Sequence, residues 1–184
     1  MIDLARYSVA HFDRGASRWA DAAWWIVKCI FFQNPWPWPS ALRVALLRLF
    51  GARIGQGVVI RGNVNITFPW RLVIADHVWI GEEVTILSLA PVTIESNICI
   101  SQRAFLCTGS HDFRVATFDL QTRPITLRAG CWVAAQAFIA PGVEIGSGSM
   151  VAAGSVVLEN VPPNTVVRGN PAMVVTARVN GKRS

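Results

Sequence analysis

Histidine is the side chain of this sequence best suited to proton transfer, and its three histidines stand in different surroundings. His11 lies in a polar N-terminal stretch, and His77 lies within a regular repeat. His111 is followed directly by Asp112, with Asp119 a few residues further on. Imidazole titrates near neutral pH, so His111 is a candidate general base. Asp112 or Asp119 could fix the tautomer of its ring, and the sequence leaves both open.

The cysteines do not indicate a metal site, because none of them has the C-x-x-C spacing of zinc ligands. They are Cys29, Cys99, Cys107 and Cys131. Cys107 lies four residues before His111, which leaves a Cys–His nucleophile with a covalent acyl-enzyme as a minor alternative. Free thiols and the absence of a signal peptide predict a cytoplasmic protein. We expect no metal requirement.

The charge of the chain favours small anionic partners over nucleic acid. The net charge is +6 and the basic residues are scattered, with no nucleic-acid-binding motif. An attraction to phosphorylated small molecules or to an anionic membrane surface fits this distribution. With 52% hydrophobic residues the chain is also too apolar to be disordered.

A branched apolar residue recurs at every sixth position, a period that fits neither a helix nor an amphipathic strand. The clearest run consists of Leu127, Val133, Ile139, Ile145, Val151 and Val157. Earlier sets with the same spacing begin at Ile54, Ile74 and Ile94. A period of six is typical of a hexapeptide β-helix, in which three hexads form one triangular coil. The sequence therefore predicts an all-β solenoid of about five coils.

Three interruptions of the repeat fall at the same corner of the predicted prism. Leu72-Val73 follow the first coil, Val92-Thr93 follow the second, and a long insertion over residues 112–126 follows the third. Insertions in solenoids tend to map to one face, which is often the binding face. His111 stands at the start of the longest insertion, and this position singles it out from the other histidines.

Small residues follow two apolar positions that stack on one another in the later coils. Val133 is followed by Ala134 and Ala135, and Val151 is followed by Ala152 and Ala153. Such a smooth track could hold a thin linear arm such as pantetheine, although small residues also suit tight corners. Downstream, Arg168 and Arg178 could bind phosphates.

The N-terminal 50 residues are different in kind, with five of the eight tryptophans between positions 19 and 38. Residues 19–32 read as an apolar helix too short to span a bilayer. Three prolines make residues 34–39 extended, Ser40 could cap a helix over 41–50, and Gly51 could end it. These helices either cover the open end of the first coil or form an interfacial membrane anchor, and both can hold.

Four stretches of the chain carry a resemblance to a known family. They are residues 46–55, 78–82, 100–112 and 161–172, the third of which contains Thr-Gly-Ser-His-Asp. Residues from about 51 to 175 resemble the hexapeptide-repeat O-acetyltransferases, and in particular the colanic-acid-biosynthesis acetyltransferase group. This resemblance implies a left-handed parallel β-helix, a homotrimer, acetyl-CoA as the acetyl donor and a sugar hydroxyl as the acceptor.

The resemblance also implies roles for individual residues. His111 becomes the catalytic base, Asn65 and Trp70 fall on the acceptor side, and Ala135 and Ala153 line the CoA arm. The chain departs from the family pattern at three positions: Ala75 and Glu95 replace the usual corner glycine, and Glu159 stands where many relatives carry a lysine near the CoA phosphates. The last departure shifts the expected phosphate contacts to Arg168 and Arg178.

Together these observations predict three regions: residues 1–50 as a helical cap or membrane-peripheral segment, 51–167 as the β-helix with the 112–126 loop, and 168–184 as a tail. The predicted function is acetyl-CoA-dependent O-acetylation of a sugar hydroxyl in exopolysaccharide or other glycan precursor synthesis, with a lipid-linked acceptor as one possibility. Three alternatives remain open: an acyltransferase with another donor or acceptor, a non-catalytic β-helix assembly module, and a carbonic-anhydrase-like metalloenzyme.

Overall fold

The computed structural model describes residues 2–9, 12–34 and 36–177. His11 and Arg178 therefore lie outside the described residues. From Arg53 onward the chain winds into a solenoid of short parallel strands.

Five complete coils of three strands each make up the solenoid. The first coil comprises β1 (Arg53–Ile54), β2 (Val59–Ile60) and β3 (Asn65–Ile66). The second comprises β4 (Leu72–Ile74), β5 (Trp79–Ile80) and β6 (Thr85–Leu87). The third comprises β7 (Val92–Ile94), β8 (Cys99–Ile100) and β9 (Phe105–Cys107). A hairpin of β10 (Gly109–His111) and β11 (Leu120–Thr122) follows. The fourth coil comprises β12 (Ile125–Leu127), β13 (Trp132–Val133) and β14 (Phe138–Ile139), and the fifth β15 (Glu144–Ile145), β16 (Met150–Val151) and β17 (Val156–Val157).

Equivalent strands of successive coils pair in register and form three sheets. The first sheet has the order β1-β4-β7-β12-β15, the second runs from β2 through β5, β8, β13 and β16, and the third has the order β3-β6-β9-β14-β17. We call the turns that join first to second, second to third and third to first sheet the first, second and third corners. The inward residues of each sheet stack directly, as Ile60, Ile80 and Ile100 do, and each is at most 1% exposed. Burying each such side chain stabilises the folded protein by about 1.5–3 kcal/mol. Because the inward residues stack at every sixth position of a coil, the six-residue period of the sequence is also the period of the core.

The second corner shows why the strands are so short. One residue of its turn has a positive φ in every coil: Asn63, Glu83, Arg103, Gln136 and Gly154. This left-handed conformation bends the chain sharply within four residues and is the favoured region of glycine and, among other residues, of asparagine. The turn therefore delivers the chain to the next sheet after only two or three residues of strand.

The prediction of about five coils misses a partial sixth coil. Val161 bridges to Ile145 of the first sheet, and β18 (Thr165–Gly169) pairs with β16 of the second sheet. An antiparallel strand, β19 (Ala172–Ala177), then covers the edge of β18. Residues 168–169 and 172–177 of the predicted tail thus belong to these two strands. The sixfold pattern slips by two residues between Val157 and Val161, which hid this coil in the sequence.

Two helices cover the other end of the solenoid, α1 (Arg18–Phe31) and α2 (Ser40–Leu49). Trp24, Phe32 and Leu47 are at most 1% exposed and join the core of the first coil. The indole N–H of Trp24 donates a 3.0 Å hydrogen bond to the carbonyl of Ile66. These contacts pack both helices against the first coil. No helix in residues 2–9, 12–34 and 36–177 is long and apolar enough to cross a membrane.

Ser40 does not cap α2, contrary to the prediction from its position. It is the first residue of the helix, and Pro39 occupies the capping position without a side-chain hydrogen bond. The hydroxyl of Ser40 instead accepts a 2.8 Å hydrogen bond from the backbone N–H of Ile60. Because this edge of the first coil has no preceding strand, a serine hydroxyl there satisfies a backbone donor that would otherwise be buried unpaired.

The N-terminal segment, residues 2–9 and 12–17, runs back over the solenoid to the hairpin insertion. The backbone N–H of Asp3 donates to the carbonyl of Ala116 at 2.9 Å. The indole N–H of Trp70 donates to the carbonyl of Arg14 at 2.7 Å, and the Arg71 guanidinium donates to the carbonyls of Leu89 and Asp13. These bonds bring the beginning of the chain against the region that follows the third coil.

Candidate active site

His111 ends the first strand of the hairpin inserted at the third corner. It lies opposite Leu120 in the antiparallel pair β10–β11. The hairpin leaves the solenoid after β9 and returns at β12, so the excursion covers residues 108–124 rather than the predicted 112–126. The longest interruption of the repeat therefore carries the histidine on a paired strand and not on an unsupported loop.

The surroundings of His111 determine which of its ring nitrogens can accept a proton. Its Nδ1 lies 2.9 Å from the carbonyl oxygen of Phe118. A carbonyl can only accept, so in the neutral imidazole Nδ1 carries the hydrogen and the lone pair is on Nε2. Phe118 has a φ of +51°. Its ring also stacks on the imidazole, with centroids 4.3 Å apart and an interplanar angle of 1°, while Tyr7 meets the imidazole edge-on at 5.4 Å.

The carboxylate of Asp112, one of the two predicted to orient His111, binds other groups. Asp112 accepts hydrogen bonds from the backbone N–H and the Nε of Arg114, at 2.9 and 3.2 Å, and from the amide of Gln121 at 3.2 Å. The hydrogen bond from the Arg114 backbone is the main cause that holds the pKa of Asp112 below its usual value. Asp119 contributes its backbone carbonyl, which accepts from the Asp112 N–H at 2.9 Å. The orienting acceptor is thus the Phe118 carbonyl, and Asp112 stiffens the loop that carries it.

Cys107 has the wrong surroundings for a nucleophile. Its side chain is buried, and its thiol donates to the carbonyl of Gly109 at 3.1 Å. Burial raises the pKa of the Cys107 thiol, which lowers the fraction of reactive thiolate. The Cys–His alternative therefore lacks the activated sulfur that it requires.

His111 faces a cavity of about 860 Å³ that the N-terminal elements close from the opposite side. Tyr7 and Leu120 line it together with the imidazole, and α1 contributes seven residues, among them a stripe of four with helical spacing that includes all its charges: Arg18, Asp21, Trp25 and Lys28. The volume falls in the range of about 300–1,000 Å³ that is typical of small-molecule sites. None of these α1 residues was predicted as a site residue. The signal that could have found them is that the three charged residues of the helix all lie on this one stripe.

The two residues predicted on the acceptor side do not line the cavity. Asn65 lies on the outer side of the third sheet, in register with Thr85, and its buried Oδ1 has no hydrogen-bond partner among the described residues. Trp70 stacks on Phe68 at 5.1 Å and holds the N-terminal segment through Arg14. In this structure Trp70 anchors the segment that covers the cavity.

Ala135 and Ala153 lie at the second corner of the fourth and fifth coils. The equivalent positions of the first three coils are Gly62, Glu82 and Gln102, so alanine replaces the longer side chains of the second and third coils at this position, while Gln136 keeps a long side chain next to Ala135. Beside Ala153, a Cβ added to Gly154 would meet no atom within 4 Å. Ala135, Ala153 and Gly154 therefore leave this edge open at their own positions, and its use by the CoA arm stays a prediction. Arg168 is exposed on β18, one coil further along.

Comparison with known proteins decides the family. The pattern of the bacterial transferase hexapeptide family, six repeats, matches residues 124–159. The chain is 44% identical over 182 residues to WcaF of Escherichia coli (strain K12), which is named for colanic acid biosynthesis and acetyl transfer; the match covers 97% of this chain and 98% of WcaF. The chain belongs to the hexapeptide-repeat acetyltransferase family. It is therefore an acetyltransferase by family.

Solved structures of hexapeptide-repeat acetyltransferases have the same architecture. The acetyltransferase VCA0836 of Vibrio cholerae, solved with acetyl coenzyme A, superposes with a TM-score of 0.81 at 29% identity, over 92% of this chain and 94% of that one. Galactoside acetyltransferase, solved with coenzyme A, superposes with a TM-score of 0.78 at 23% identity, over 86% and 80% of the two chains. By sequence, the galactoside O-acetyltransferase of E. coli K12 is 26% identical over 147 residues, 78% of this chain and 72% of that enzyme.

Within this acetyltransferase fold, His111 and the alanine corner lie on opposite edges of the third sheet. His111 follows β9 at the third corner, whereas Ala135 and Ala153 precede β14 and β17 at the second corner. One chain therefore does not bring its own base and its own alanine track to the same edge. Among the described residues no three His, Cys, Asp or Glu side chains are grouped so that they could hold a metal ion.

Proposed function

We propose that this acetyltransferase transfers an acetyl group from acetyl-CoA to a hydroxyl of a sugar in a glycan precursor, with His111 as the general base. The observation that carries the proposal is the state of the imidazole. Its Nδ1–H is held by the Phe118 carbonyl, which leaves Nε2 as a proton acceptor beside a cavity of ligand size. This is the arrangement that general-base catalysis requires.

The reaction needs only one base. A sugar hydroxyl donates a hydrogen bond to Nε2 of His111, which removes the proton as the oxygen attacks the thioester carbonyl of acetyl-CoA. Backbone N–H groups stabilise the negative charge that develops on the carbonyl oxygen. The tetrahedral intermediate then expels the CoA sulfur, which takes the proton from Nε2. Throughout, the Phe118 carbonyl accepts from Nδ1–H and stabilises the imidazolium. The buried, protonated Cys107 leaves direct transfer as the favoured route over an acyl-enzyme.

The donor site in this proposal is the alanine corner. Pantetheine is a thin chain, and Ala135 and Ala153 leave an open edge along the solenoid on which it can lie. Arg168, and Arg178 beyond the described residues, would bind the CoA phosphates. Because this corner and His111 lie on opposite edges of one sheet, the proposal includes a homotrimer, in which the donor bound along one copy meets His111 of the next copy.

The acceptor class rests on the relatives. One is named as a galactoside O-acetyltransferase and another for colanic acid biosynthesis, and both names point to sugars. We extend this to a cytoplasmic glycan precursor, with a sugar attached to a membrane lipid as the natural candidate. The exposed side of α1 supports a peripheral contact with the membrane, since its large apolar side chains Trp19, Ile26 and Ile30 are 85%, 53% and 47% exposed.

The test is to incubate the purified protein with acetyl-CoA and a panel of free, nucleotide-linked and lipid-linked sugars. Mass spectrometry then follows the acceptors while a thiol reagent follows free CoA. Addition of one acetyl group to a sugar, with an equal amount of CoA released, is the expected result. Transfer only from an acyl carrier protein, or no turnover with any acceptor, would count against the proposal and favour another donor or an assembly module.

A further inference from the structure

The charged residues of α1 are concentrated where the helix faces the cavity. Arg18, Asp21 and Lys28 are the charged residues of this helix, and all three line the cavity that contains His111. Trp25 lies on the same stripe. The two other sides of the helix are apolar, one packed on the first coil through Trp24 and one exposed. The helix therefore places its charges at the site where the acceptor sugar is proposed to bind.

The cations at this wall outnumber the carboxylates. Arg14, Arg18 and Lys28 line the cavity as cations, and Asp21 lines it as the carboxylate. Asp21 is already paired with Arg14. Arg18 and Lys28 form no ion pair within the part of the chain that the structure describes. The cavity thus carries two positive charges with no carboxylate of their own.

Lys28 is partly desolvated and has no ion-pair partner among the described residues. Its side chain is half-buried, and burial lowers the pKa of its ammonium, an effect that the charges of Cys29 and Asp21 offset only in part. A partly desolvated cation without a partner destabilises the free protein, because the lost hydration is not replaced. A bound anion would replace it, and the apolar surroundings would strengthen the attraction relative to bulk water.

We propose that the acceptor carries an anionic group, a carboxylate or a phosphate, that binds to Lys28 on the α1 wall of the cavity while its hydroxyl reaches His111. This rests on the proposed acetyl transfer and names the class of sugar on which it acts. Trp25 offers the flat apolar side chain against which the sugar ring lies. A neutral sugar would leave Lys28 unpaired, so the site discriminates against it as sites with unmatched polar groups do.

The experiment measures binding rather than turnover. In the His111→Ala variant, isothermal titration gives the affinities of glucose, glucuronate and glucose 1-phosphate at low salt. Both anions are expected to bind at least about tenfold more tightly than glucose, the equivalent of about 1.4 kcal/mol. The anion that binds more tightly identifies whether the natural group is a carboxylate or a phosphate. The preference should weaken as salt is raised.

A matched pair of variants assigns the effect. Lys28→Gln should reduce the preference for the anions to about threefold or less, and Lys28→Arg should restore most of it. Arg61→Gln removes an exposed cation at the second corner and should leave the preference intact.

The proposal is overturned if neither anion binds, if glucose binds as tightly, or if Lys28→Gln folds and keeps the full preference. Because His111 is absent from the titration, a failure of acetyl transfer would overturn the proposed function alone.

Discussion

Removing the ring of Phe118 is the perturbation whose effect on catalysis follows most directly from the structure. That ring lies parallel to the imidazole of His111 with centroids 4.3 Å apart, and the backbone carbonyl of the same residue accepts from Nδ1. Phe118→Ala removes the stacked ring and leaves the carbonyl in place. The imidazole then keeps its tautomer but loses the stacking contact that fixes the orientation of its ring plane.

The expected loss is modest because only the ring contact is removed. An aromatic pair contributes about 0.5–1.5 kcal/mol beyond the burial of its area, which converts to a fall in kcat of about 2- to 13-fold if all of it orients the base. Phe113→Ala is the matched control, since Phe113 lies in the same loop, is 73% exposed and stacks on no other aromatic ring among the described residues. Its kcat should not change.

Release of CoA, followed with a thiol reagent at saturating acetyl-CoA and acceptor, measures both variants, and circular dichroism confirms that they are folded. Two results would refute the reasoning. A loss for Phe118→Ala as large as the loss for His111→Ala would show that the ring has a role beyond packing. An unchanged kcat would show that the imidazole does not lie against Phe118 during the reaction.

Three further predictions concern the donor, the loop and the membrane. Ala153→Trp should raise the Michaelis constant for acetyl-CoA tenfold or more and leave the Michaelis constant for the acceptor unchanged. Ser147→Trp, at the first corner of the same coil, should change neither constant. Steady-state kinetics with each substrate varied measures both constants, and an equal rise in both for Ala153→Trp would contradict a donor site at this corner. Asp112→Asn and Cys107→Ala should each keep kcat within about fivefold of the wild type, because neither group contacts the reacting atoms in the proposed mechanism. A loss of about 100-fold in the same assay would show that the substituted residue takes part in catalysis. Trp19→Ser should reduce co-sedimentation with vesicles of 30% anionic lipid at low salt, with the melting temperature unchanged; a wild-type protein that stays in the supernatant would contradict the membrane contact.

Much of the solenoid was predictable because each inward residue touches the same type of residue one coil away. Ile60, Ile80 and Ile100 occupy one column, so a local period in the sequence is also the period of the packing. The prediction fell short where this period slips. Between Val157 and Val161 the spacing is four instead of six, and the partial sixth coil beyond it was missed.

Only the parts of the site that are marked by a particular type of side chain could be predicted from the sequence. His111 stood out because the repeat breaks beside it, and the alanine corner stood out because small residues recur there. The acceptor that orients the imidazole is a backbone carbonyl, which no residue type encodes, so the sequence pointed to Asp112 instead. Tyr7 and Lys28 reach the cavity through the irregular N-terminal segment and through α1, at sequence separations over which no pattern is preserved.

The central claim is that His111 removes the proton from the acceptor hydroxyl. Its most direct test compares wild type with His111→Ala in the mass-spectrometric transfer assay, while isothermal titration measures the affinity of each for CoA. A base at this position predicts a loss of about 10²–10⁴-fold in turnover with the affinity for CoA unchanged. Turnover within threefold of the wild type, in a variant that binds CoA normally, would contradict it.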